Sequence, residues 1–78
     1  MTEQLRKAID LQKSAASSSA LALKYLFALL GEGPRPTFMG QEESDESIRL
    51  VALINQKYSD THYRAARSYL DEVRAATI

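Results

Sequence analysis

Ser14-Ala15-Ala16-Ser17-Ser18-Ser19-Ala20-Leu21-Ala22-Leu23-Lys24-Tyr25-Leu26-Phe27-Ala28-Leu29-Leu30 is the stretch on which the fold turns. Its first seven residues are only Ser and Ala, small enough to let another backbone come close. From Ala20 to Leu30 the run is apolar nearly all round, with Lys24 its lone charge. A helix of that character needs cover on most sides. The run has eleven residues, well short of the roughly 20 that span a bilayer. The cover is therefore expected to be protein, and no membrane partner is expected.

Working outward, Thr2 to Leu30 contains no Gly or Pro. Leu5, Ile9, Ala16, Ala20, Leu23, Phe27 and Leu30 fall at spacings of 4, 7, 4, 3, 4 and 3, which is one face of a helix. Gly31 fits the position just past the helix end, and Pro34 follows. Ser17, Ser18 and Ser19 are mediocre helix formers because their hydroxyls compete for backbone groups. They permit a bend near Ser17.

Next comes a segment that holds all three glycines and both prolines, read as an extended loop from Gly31 to Glu43. Ser44 is the expected N-cap of a further helix, with Asp45 and Glu46 in its first turn, where acids favour the dipole. Ile48 to Ile54 is short and apolar enough for a strand, but Leu and Ala dominate and hairpin signals are lacking, so a helix is preferred. Ser59-Asp60-Thr61 is cap chemistry and is read as the start of a third helix, followed by Tyr63, Ala66, Leu70, Val73 and Thr77 at spacings of 3, 4, 3 and 4. The alternative is one helix unbroken from Ser44 to Ala76. Either way the expectation is a single all-α domain over 1–78: a long N-terminal helix, an extended loop, and a C-terminal helical hairpin or one long helix.

The chain has 78 residues, 35 of them apolar, and eleven of these are Ala, which buries little area. Small domains bury a small share of their surface. Cysteine is absent, so neither a disulfide framework nor a thiolate metal site adds support. An unbroken first helix is about 43 Å long, against roughly 30 Å for a compact chain of this length. Its apolar half would overhang its own domain. Each Leu or Phe left uncovered forgoes roughly 1.5–3 kcal/mol. The expected remedy is self-association into a helical homo-oligomer through Ala16, Ala20, Leu23, Phe27 and Leu30, with a two-fold dimer as the default form. No secretory signal pattern opens the chain, and the expectation is a cytoplasmic protein.

No constellation of residues calls for catalysis. His62 is the only histidine, with no nucleophile or oxyanion motif beside it, and it reads as a surface or cap residue. Glu42, Glu43, Asp45 and Glu46 lack calcium-loop spacing, so no metal or cofactor is expected. The apolar pair Phe38-Met39 sits in a polar loop stiffened by Pro34-Arg35-Pro36. Such pairs commonly fold back onto their own core; the sharper reading makes Phe38, Met39 and Arg35 an anchor for a protein partner.

Arg64, Arg67 and Arg74 share a helical stripe with Tyr63 and Tyr69 interleaved, a combination that can contact phosphate and stack bases. Helices meeting at Ser59 to Thr61 would suit a helix-turn-helix. Ser47 to Ile78 nevertheless has five basic residues against three acidic, and a mixed solvated face explains it as well. Lys24 and Tyr25 at the mouth of an inter-subunit pocket would meet an anionic ligand such as a nucleotide, although a lone lysine usually just reaches out of an apolar surface. The expected function is therefore a non-enzymatic oligomeric interaction protein, an adaptor or inhibitor of a macromolecular partner. The alternative is a binder of nucleic acid or of a small nucleotide.

Overall fold

The computed structural model describes residues 2–77, with side-chain surroundings through Ala75. It contains two long helices, α1 (Thr2–Leu30) and α2 (Asp45–Thr77), joined by a loop with a two-stranded antiparallel ribbon, β1 (Thr37–Phe38) and β2 (Gln41–Glu42). The helices lie antiparallel. The Ser59 hydroxyl donates to the Ala15 carbonyl at 2.9 Å, and the Lys7 ammonium sits 5.6 Å from the centre of the Tyr69 ring. The molecule is a rod of 54 × 18 × 17 Å. Its radius of gyration is 16.5 Å, against about 11.5 Å for a compact chain of this length.

The seam between the helices repeats every seven residues, with a recurring small residue in each repeat of either helix. In α1 the inward positions are Gln4, Ala8, Leu11, Ala15, Ser18, Ala22, Tyr25 and Leu29, alternating steps of four and three. In α2 they are Ile48, Ala52, Asn55, Ser59, His62, Ala66, Tyr69 and Val73, in the same steps. This is the repeat of a coiled coil. One inward position of every heptad is small: Ala8, Ala15 and Ala22 on α1, and Ala52, Ser59 and Ala66 on α2. The bond between Ser59 and Ala15 sets the register, which brings Ala8 level with Ala66 and Ala22 level with Ala52. Small residues at each of these levels let the two backbones approach closely. Among the described residues the fully buried set is Ala8, Ala15, Ala22, Ala28, Ile48, Ala52 and Ala66.

The ends of the helices follow local chemistry. Gly31, at φ 86°, terminates α1 in a Schellman motif: Glu32 N–H donates to the Phe27 carbonyl at 2.9 Å and Gly31 N–H to that of Ala28 at 3.2 Å. Ser44 caps α2, accepting from the Ser47 N–H at 3.2 Å.

Three expectations are corrected. First, α2 is one continuous helix, so the favoured C-terminal hairpin and the helix-turn-helix are both absent. The Ser59, Asp60 and Thr61 side chains do not cap anything. Ser59 bonds across the seam, Asp60 pairs with Arg64 at 3.2 Å, and the Thr61 hydroxyl donates to the Lys57 carbonyl one turn back.

Second, α1 runs without interruption through Ser17. Ser18 occupies a seam position, where a small side chain suits close packing.

Third, the loop is not plain extended chain. Met39 and Gly40, at φ 52° and 81°, make a two-residue type I′ connection between β1 and β2.

The α1 stripe assigned to self-association lies outside the seam. Leu5, Ile9, Leu23, Phe27 and Leu30 are all exposed, as are Ala16 and Ala20. On α2, Tyr63 and Leu70 likewise point outward while Ala66 is buried. His62 belongs to the seam, half-buried, its Nδ1 within 2.7 Å of the Tyr58 carbonyl.

Candidate interaction site

Among the described residues apolar side chains meet solvent on α2, at Leu50, Leu53, Ile54 and Tyr58, and on two further surfaces. The first is the ribbon tip. Phe38 is 67% exposed and Met39 is 89% exposed, so the pair does not fold back onto the helices. Met39 pairs this exposure with a left-handed backbone, which costs an ordinary residue roughly 1–2 kcal/mol. Asn or Gly is the usual occupant of that turn position.

The base of the ribbon is braced. One Arg35 Nη2 donates to the Glu43 carbonyl at 2.7 Å and to Asp45 Oδ1 at 2.8 Å, and its Nε lies 3.7 Å from Glu42 Oε2. Glu43 N–H donates to the Pro36 carbonyl at 3.0 Å, and the Ser47 hydroxyl donates to Glu43 Oε2 at 2.7 Å. Arg35 thus ties β1, β2 and the start of α2 together. Its guanidinium is engaged within the chain, and the outward-facing groups are Phe38 and Met39. The acids Glu42, Glu43 and Asp45 turn to Arg35 and Ser47 and do not converge on a common point. Among the described residues no group of three or more His, Asp or Glu side chains is placed to hold a metal ion.

The second surface is one flank of α1, beside the seam, where Ala16 shares a groove with α2. Ala20, Leu23, Phe27 and Pro34 line a groove of about 450 Å³, with Lys24 and Glu32 as its charged lining. Gly33 closes one side. A Cβ there would meet the Phe27 Cβ at 3.4 Å, ordinary van der Waals contact, so the loop lies flat against the helix at this point. Further along, Ala16 shares a second groove of about 480 Å³ with Gln12, Ser19, Gln56, Asp60 and Tyr63. The five residues expected to mediate self-association, Ala16, Ala20, Leu23, Phe27 and Leu30, therefore lie together on one exposed stripe.

The residues of the anionic-ligand reading are dispersed. Lys24 faces the groove on the flank of α1, while Tyr25 is half-buried in the seam. On α2, Arg64 is held by Asp60 at 3.2 Å. Arg67 and Arg74 are exposed. Tyr63 lies beside Asp60 in the groove between the helices, and Tyr69 lies under Lys7.

The brace around Arg35 was missed at the sequence level. Its signal was available, since Pro-Arg-Pro followed by four acids within ten residues places one cation among several carboxylates.

No family model, curated protein or solved structure matches this chain. The geometry alone carries the functional reading. No described helix is long and apolar enough to cross a membrane.

Proposed function

We propose that the protein is a non-enzymatic helical-hairpin interaction module of the cytoplasm. Copies associate through the outer stripe of α1, and the ribbon tip engages a protein partner in the manner of an adaptor or inhibitor. The observation that carries this reading is Met39: a large apolar side chain held almost fully in solvent, on a backbone conformation it disfavours, by a ribbon braced at its base. Strain of this sort persists where the surroundings over-determine it, and it concentrates at functional positions. Phe and Met are also residue types that serve as anchors. The partner surface that fits is an apolar pocket, because the groups at the tip are Phe38 and Met39 while Glu42 and Glu43 are engaged at the base by Arg35 and Ser47.

Met39→Asn tests the reading cleanly. Asn suits the type I′ turn better than Met does, so the fold is kept while the apolar anchor is lost. Immobilised wild-type protein is expected to retain a partner from host extract that Met39→Asn and Phe38→Thr both release, with unchanged helical circular dichroism. A partner retained equally by both variants would overturn the assignment of the tip.

A further inference from the structure

The unpartnered stripe on α1 has an internal symmetry. Counting from Ala16, Ile9 and Leu23 both lie seven positions away, Leu5 and Phe27 both lie eleven away, and Gln12 and Ala20 both lie four away. Large apolar residues occupy the positions seven and eleven away on both sides and a small residue occupies the centre, while Leu30, fourteen away, has Thr2 as its counterpart. A two-fold interface makes residue i meet residue j while j meets i. This pattern is what such an interface needs when two helices cross antiparallel at Ala16: Leu5 meets Phe27, Ile9 meets Leu23, and Ala16 meets its own copy.

We propose that the occupant of this stripe is a second copy of the chain, packed with α1 antiparallel to α1 about a two-fold axis at Ala16. The inference rests on the reading of the protein as a self-associating hairpin and specifies its geometry.

Area supports a second copy. The chain exposes 6023 Å², whereas a compact monomer of this mass exposes about 4,700 Å². The rod shape spreads this surplus over both helices, and it exceeds the roughly 800 Å² that each partner contributes to a standard interface.

Charge selects the antiparallel sense. Between Gly31 and Glu46 the loop end carries Glu32, Glu42, Glu43, Asp45 and Glu46 against the single cation Arg35. Parallel pairing would set two such acidic ends side by side and would also put Lys13 beside Lys13. Antiparallel pairing separates both.

The absence of cysteine makes single-cysteine variants unambiguous. Ala16→Cys, at an exposed position, is treated with a short bismaleimide and is expected to give a linked dimer. Ile9→Cys and Leu23→Cys are expected to give none separately, because each is displaced from its own copy by about 21 Å along the axis. Mixed together they are expected to give the linked heterodimer. Gln12→Cys mixed with Ala20→Cys repeats the test at exposed positions of modest size.

Sedimentation equilibrium on the unmodified protein separates the two levels of inference. A dimer that links Ile9→Cys to itself, or fails to link both as Ala16→Cys and in the two mixtures, overturns the two-fold register and leaves self-association standing. A monomer at high concentration overturns both.

Discussion

Ala22 and Leu23 are neighbours in sequence and opposites in surroundings. Ala22 is 3% exposed and Leu23 is 53% exposed. The same contrast runs the length of α1, with Ala8, Ala15 and Ala22 inside and Ile9, Leu23 and Leu30 outside. An ordinary amphipathic helix puts its large residues toward its partner. Here one position of each heptad facing the partner helix is small, Leu11, Tyr25 and Leu29 fill the levels between, and Ile9, Leu23 and Leu30 stay exposed. The inner face thus builds the hairpin, and the flank that carries the large residues stays exposed.

The largest expected effect comes from adding bulk inside. Ala22→Leu forces a branched side chain into a seam of alanines. It is expected to cost about 1–3 kcal/mol or more, read as a lower urea midpoint and partial loss of helical signal. Removing bulk outside separates the two roles. If the outer stripe is buried in an assembly, Leu23→Ser loses roughly 1.5–3 kcal/mol of burial and shifts the protein toward monomer. If the stripe simply faces water, the change stays within about 0.5 kcal/mol. Guanidinium denaturation with light scattering distinguishes the two.

How much of this was readable from sequence alone depended on residue size. Gly31 and Ser44 declared the ends of the helices because left-handed backbone and N-capping each demand few residue types. The two-helix rod was hidden at Ser59-Asp60-Thr61, where residues suited to caps instead bond across the seam, back along the helix, or to Arg64. The seam was hidden because Leu, Ile and Phe dominate any measure of hydrophobic periodicity. The heptads of Ala8, Ala15 and Ala22 and of Ala52, Ser59 and Ala66 carry little such weight. The ribbon was hidden because Met39-Gly40 lacks the Asn or Asp that announces a type I′ turn. The outer stripe was legible as one helical face, since it consists mainly of the large residues that periodicity detects. That it lies beside the seam and not within it could not be seen without the alanine repeat.

Smaller effects sharpen the comparison at the hairpin's ends and middle. Ser44→Ala removes the cap of α2 and is expected to cost about 1 kcal/mol, visible as a lower melting temperature without change in assembly. Ser59→Ala removes the hydrogen bond from Ser59 to the Ala15 carbonyl across the seam and leaves an alanine in an alanine seam. The expected cost is about 0.5–1.5 kcal/mol, measured by urea titration, and retained packing places it at the low end.

The central claim is that the hairpin's stability depends on a partner copy covering the outer stripe. Thermal unfolding of the 8.7 kDa chain over a hundred-fold dilution series tests it directly, with the mass measured at each concentration. The expected result is a melting temperature that falls steadily on dilution as the mass drops from twice that of the chain toward the single chain. An unchanging melting temperature, with one-chain mass at every concentration, would contradict it.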